Sequence, residues 1–150
     1  MDSRTFYSYL AGMRAVAVRA ECARDAIRAT EERLTRISSG SADGMRVSSG
    51  SVDYDRTAMR VHALQEVRRR QGRDLSRAVA ALKRFKAELA ASGLGEDERD
   101  VLWCHYVLGM RRSKEIAERL GVQQRHVWPM LTTARSELAR SMGVSDDGGH

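Results

Sequence analysis

Apolar residues recur along the first part of the chain at alternating spacings of four and three, at Phe6, Leu10, Met13, Ala17 and Ala20. The stripe then continues one position earlier through Ala23, Ile27, Leu34 and Ile37. A straight helix drifts in this way against a seven-residue repeat, so the spacing predicts one long helix from residue 3 to about residue 37. Over residues 38–55, "SSGSADGMRVSSGSVDYD", the periodicity vanishes and Ser, Gly and Asp dominate, which predicts a flexible linker. The stripe resumes with Val61, Leu64, Val67, Leu75, Val79, Leu82, Phe85 and Leu89. Gly72 weakens the middle of this second helix by about 1 kcal/mol relative to Ala, and Gly93 is a natural stop. Two long amphipathic helices with a polar connection predict an antiparallel hairpin over residues 1–92, because neither can leave its stripe wet. Such a hairpin has little core, so a homo-oligomer through the same stripes is expected.

After Gly93 the pattern shortens. "GEDERD" puts acids where the first turn of a helix favours them, and "VLWCHYVLG" completes that helix before Gly109. "SKEIAERL" predicts a second helix ending at Gly121, and "QQRHVWPMLTTARSELARSM" a third. The expected fold class is all-α, with the hairpin followed by a helical domain over residues 93–142 and a disordered tail over 143–150.

Composition narrows the function classes. Hydrophobic residues make up 42% and charged residues 31%, and only two Phe, two Trp and four Tyr are present, a balance that favours helices. The formal charge is +6 and the sequence pI about 9.9, which points to an anionic partner, nucleic acid being the commonest. Residues 53–93 hold ten Lys or Arg against five acids, much of the excess in "VRRRQGR". A solvated helix face would carry the same run. Cys22 and Cys104 lie far apart without a paired Cys or His in ligand spacing, which suits a reduced cytoplasmic setting. Neither an export leader nor a membrane-length apolar run is visible, so no membrane partner is expected.

Seven positions in "EIAERLGVQQRHVWPML" agree at fixed offsets with a helix-turn-helix. Ile116 and Leu120 lie one turn apart, Ala117 is small enough for a close crossing, Gly121 can take the left-handed bend, Val122 plugs the turn, and Val127 with Met130 returns to the core. Seven agreements in this order are far more specific than one or two.

With Leu94, Arg99, Val101, Leu102, Tyr106, Gly109, Glu115, Ile116, Ala117, Leu120, Gly121, Val122 and Val127 in place, and Leu131, Ala134 and Leu138 extending the pattern, this region resembles the last domain of bacterial sigma factors, which reads the upstream promoter element. The likeness covers about one third of the chain, and nothing before Gly93 resembles the promoter-melting domain. In layout, a helix, a Ser/Gly-rich linker, a second helix and this C-terminal unit are similar to phage transcriptional regulators of the RinA/ArpU type. The resemblance implies a DNA-binding regulator acting in a bacterial host cytoplasm, with double-stranded DNA as partner and RNA polymerase as a further one. Two other readings stay open: a packaging protein of the small-terminase kind that gathers DNA on an oligomeric ring, and a helical adaptor without DNA binding.

The chain also departs from the family's pattern. The segment between Gly109 and Ile116 is one residue longer, "RRSK" replaces the usual capping segment although Ser113 can still cap, and Gln123 stands where a short capping oxygen is common. Pro129 falls about six residues into the third helix, where its ring opposes the Arg125 carbonyl at a cost of roughly 3 kcal/mol or a kink. Alternatively Pro129 opens a helix, leaving "QQRHV" as a loop. The kinked helix is favoured because Val127, Met130 and Leu131 keep the buried face on both sides of the proline. In that arrangement Arg125 suits guanine, Gln124 adenine, and His126 a base or phosphate, with Gln123 beside them. Arg111, Arg112, Lys114 and Arg135 are expected at the DNA backbone, and Trp128 is read as a packing residue.

His62, His105, His126 and His150 show no metal-ligand spacing, and His105 is read as a helix-surface residue. No phosphate loop, nucleophile elbow or Glu-His metal pair occurs, so neither a cofactor nor an enzymatic activity is expected.

Overall fold

Helix α1, Ser3–Asp43, is opened by Asp2, whose Oδ1 accepts the Thr5 N–H at 2.7 Å and so satisfies one of the donors that a helix start leaves free. The computed structural model describes residues 1–43 and 50–145, and of 40–43 and 50–53 the backbone alone. Helix α2 spans Gly50–Ala91, followed by α3 at Glu96–Leu102, a π-helical turn at Trp103–Val107, α4 at Ser113–Leu120 and α5 at Gln124–Ser141. Among the described residues there is no strand, and the molecule is all-α.

The expected linker over 38–55 is helical at both ends, at 38–43 and 50–55, while 44–49 lies outside the described residues. Once a long helix exists, adding Ser or Asp to its end needs no new nucleation. The first three residues of the expected tail are ordered as well. Gly143 takes a left-handed φ of 68°, Val144 N–H reaches Ala139 O at 3.0 Å, and Gly143 N–H reaches Arg140 O at 3.1 Å, the paired bonds of a Schellman stop. Ser145 then donates to Met1 O at 3.1 Å. Residues 146–150 lie outside the described residues.

The compact units do not divide after residue 92. One comprises Met1–Val18 with Val79–His150, the other Arg19–Ala78, so α1 and α2 each contribute to both. In the first unit, Phe6, Leu10, Met13 and Ala17 of α1 and Phe85 and Leu89 of α2 share one core with Val101, Leu102, Ile116, Val127, Leu131 and Leu138. Half of each long stripe is therefore covered within the chain by the C-terminal helices. The Tyr9 ring meets Phe85 edge-on with centroids 6.0 Å apart, and its hydroxyl donates to Glu88 at 2.5 Å. Burial, and then the Glu88 carboxylate, push the Tyr9 hydroxyl well above the ordinary phenol range.

In the second unit α1 and α2 run antiparallel. Arg68 Nε donates to Glu31 at 3.0 Å, and the buried Thr30 hydroxyl lies 3.0 Å from both Gln71 Oε1 and Ala26 O. Small Ala20, Ala23 and Ala78 are buried, but Leu34, Ile37, Val61 and Leu64 are only half-buried and Val67 is 42% exposed. Two helices cover one side of each other's stripe and leave its flank to solvent.

Among the described residues no helix is long and apolar enough to cross a membrane, and Cys22 and Cys104 are free thiols, the second buried.

Candidate functional site

The acids Glu96, Asp97 and Glu98 occupy the first turn of α3 as its charge pattern predicts. Past Leu102 the helix widens, with Leu108 N–H reaching Trp103 O at 3.1 Å and Met110 N–H reaching Cys104 O at 3.0 Å. Gly109, at φ 68°, then turns the chain toward α4. The loosened turn exposes parts of His105 and Tyr106 while Cys104 and Val107 stay buried.

Helices α4 and α5 pack on each other and on α3. Ile116 and Ala117 are buried, Gly121 is left-handed at φ 68°, Val122 is half-buried with its N–H on Ala117 O at 3.1 Å, and Val127, Leu131, Ala134 and Leu138 form the inner face of α5. Pro129 does not open a helix. It lies inside α5, which begins at Gln124, and the buried positions on both sides of it supply the tertiary packing that offsets the missing amide donor.

The sequence-predicted site residues fall into two groups. Arg111, Arg112 and Lys114 at the start of α4, and Gln123, Gln124, Arg125 and His126 at the start of α5, are exposed. Their two helix starts are tied by Gln124 Nε2, which donates to Ser113 Oγ at 3.0 Å. Ser113 is thus not a cap. Arg112 holds the cap position of α4 in an extended conformation, and Gln123 holds that of α5, neither with a side-chain cap bond. The ion pairs among the described residues join Arg28–Asp25, Arg68–Glu31, Arg69–Glu66 and Arg140–Glu137, so none of Arg111, Arg112, Lys114 and Arg125 is ion-paired to a described carboxylate.

Arg135 stands apart from this group. It is half-buried, its Nη1 donates to the Tyr106 hydroxyl at 3.2 Å, and its guanidinium lies 5.5 Å from the centre of the Tyr7 ring. The Tyr106 hydrogen bond, first among its contacts, holds the guanidinium above its ordinary pKa. The expected backbone contact is engaged in packing α5 against α1 and the π-helical turn.

Three aromatic side chains that the sequence reading did not assign to the site adjoin it. Trp128 is 41% exposed, one turn beyond Gln124, and meets the His105 ring edge-on with centroids 5.8 Å apart. His105 is half-buried rather than a surface residue, with Nδ1 3.2 Å from Met110 O. Burial, reinforced by the charges of Arg135 and Arg111, pushes its pKa below the ordinary imidazole value. Tyr106 orients Arg135. Only the aromatic density of "WCHY" hints at this cluster in the sequence. Among the described residues no three His, Cys, Asp or Glu side chains are grouped to hold a metal ion. No family model, curated protein or solved structure matches the chain.

Proposed function

We propose that the chain is a DNA-binding transcription regulator of the phage or prophage kind, in which α4, the turn at 121–123 and α5 act as a sigma-like helix-turn-helix at a promoter or operator. The observation that carries this reading is the exposed first turn of α5, Gln124 to His126, tied through Ser113 to an α4 start flanked by three cations that form no ion pair among the described residues. In the major groove, Arg125 offers the paired donors that match guanine N7 and O6, while Gln123 and His126 reach neighbouring bases or phosphates. Gln124 trades its Ser113 contact for adenine or keeps it as a strut. Arg111, Arg112 and Lys114 meet the phosphates that fix orientation. The long α1 and α2 pair, whose second-unit stripe stays partly wet, serves oligomerisation or contact with RNA polymerase.

The test is binding to a fluorescent duplex pool at several salt concentrations, comparing the native chain with Arg125→Ala. Salt-dependent binding that selects particular duplexes, and a loss of that selectivity on substitution, is the expected result. Equal and unselective binding by both proteins refutes groove reading by α5. A large closed ring with no duplex preference favours the packaging reading instead.

A further inference from the structure

Beside the α5 start lies a cleft lined by Ala11, Arg14, His105, Tyr106, Gly109 and Arg111, all within one compact unit. None of these is acidic, and neither arginine takes part in an ion pair among the described residues. Arg14 is held there by two independent features. Its Nη1 donates to Val107 O at 3.1 Å, and its stem lies across Gly109 so closely that a Cβ there would stand 2.8 Å from Arg14 Nε. A guanidinium carries five N–H donors, so most of those on Arg14 remain available. The Met110 carbonyl can only accept, so His105 Nδ1 carries the proton and donates to it, which leaves Nε2 as the ring's second polar atom. The depressed pKa of His105 has burial as its first cause, with Arg135 and Arg111 adding positive potential, the environment that an anion would relieve. The cleft adjoins α5 through the His105–Trp128 ring contact and α4 through Arg111.

We infer that this cleft binds one phosphate group, with Arg14 and Arg111 supplying charge and paired donors beside the His105 ring. The inference rests on the DNA-binding reading in taking that group to be a backbone phosphate beside the α5 contact, and free phosphate offers the same chemistry. It adds to the interface a residue of α1, far in sequence from the helix-turn-helix.

The test measures duplex binding by the full chain and its Arg14→Gln and Arg14→Lys variants at several salt concentrations, alongside a titration with inorganic phosphate followed by the His105 ring resonances. Arg14 is exposed, so both variants should fold. Arg14→Gln is expected to weaken all duplexes alike and to lower the slope of log affinity against log salt by about 0.9. Arg14→Lys should retain most of that slope, since it keeps the charge. A native chain that binds duplexes with the same slope as Arg14→Gln overturns the cleft and leaves the regulator reading standing. A native chain that binds no duplex overturns the regulator reading. In that case His105 resonances that shift with inorganic phosphate in the native chain, and not in Arg14→Gln, assign the cleft to free phosphate, whereas their failure to shift overturns the cleft too.

Discussion

The ring of Phe85, near the end of α2, stacks on that of Trp103 in the π-helical turn, with centroids 6.1 Å apart and planes 16° from parallel. Phe85 is fully buried and belongs to the same core as the inner faces of α4 and α5. The C-terminal helices are therefore completed by the first part of α1 and the last part of α2, and do not form a free-standing module.

Phe85→Ala should lower the stability of the full chain by about 3–5 kcal/mol, the range for removing a buried aromatic ring. Urea unfolding with an unchanged slope would check it. A fragment of residues 93–145 should show helical signal but no cooperative transition, because it lacks Phe6, Leu10, Phe85 and Leu89. A sharp transition in that fragment would show that the shared core is dispensable.

The α5 proline leads to a second expectation. Pro129 is exposed and lies inside the helix, so replacing it with Ala removes little packing and restores an amide that can donate to the Arg125 carbonyl. Pro129→Ala should stabilise the chain, by up to roughly 3 kcal/mol, and raise its thermal midpoint. Duplex selectivity should survive, because the side chains assigned to the groove precede the proline. A lower midpoint would mean that the proline-shaped backbone is itself part of the packed core.

How far the chain could be read before folding differs from one helix to the next. On α1 the four-and-three spacing named Phe6, Leu10, Met13, Ala17 and Ala20, all buried, and its continuation named Ala23, also buried, and Ile27, Leu34 and Ile37, which are half-buried. The same rule named Val67 on α2, which is largely wet. Periodicity says which face is apolar but not what covers it, and only half of each long stripe meets the C-terminal helices. For the same reason the boundary placed after residue 92 marks where a helix stops and not where a core ends. The inner positions of α4 and α5 were legible because a left-handed Gly121 and a small Ala117 constrain a tight turn locally. The roles of Arg14, His105 and Arg135 were not, since they depend on contacts across 93 residues for Arg14–Val107 and 29 for Arg135–Tyr106.

Gly121 supplies a third expectation. Its φ of 68° is strained for any side chain, although an added Cβ would meet nothing within 4 Å. Gly121→Ala should therefore cost about 1–2 kcal/mol from backbone conformation alone, and Gly121→Asn less, because Asn tolerates this region better. Thermal unfolding of the pair separates the two causes. Equal losses in both variants would point to crowding in place of strain.

The last expectation concerns pH. Burial, with Arg135 and Arg111 nearby, depresses the His105 pKa below its ordinary value of 6.5, so the folded chain binds that proton more weakly than the unfolded chain does. As pH falls through about 6.5 the unfolded state takes up the proton first, and stability declines until the folded imidazole is also protonated at its own lower value. Above about pH 7.5 neither state is protonated and this contribution is constant. His105→Gln keeps an amide able to donate to the Met110 carbonyl but cannot titrate. In phosphate-free buffer, its thermal midpoint should fall less than that of the native chain between about pH 7.5 and pH 5. Identical pH profiles for the two proteins would show that His105 is equally easy to protonate in the folded and unfolded states.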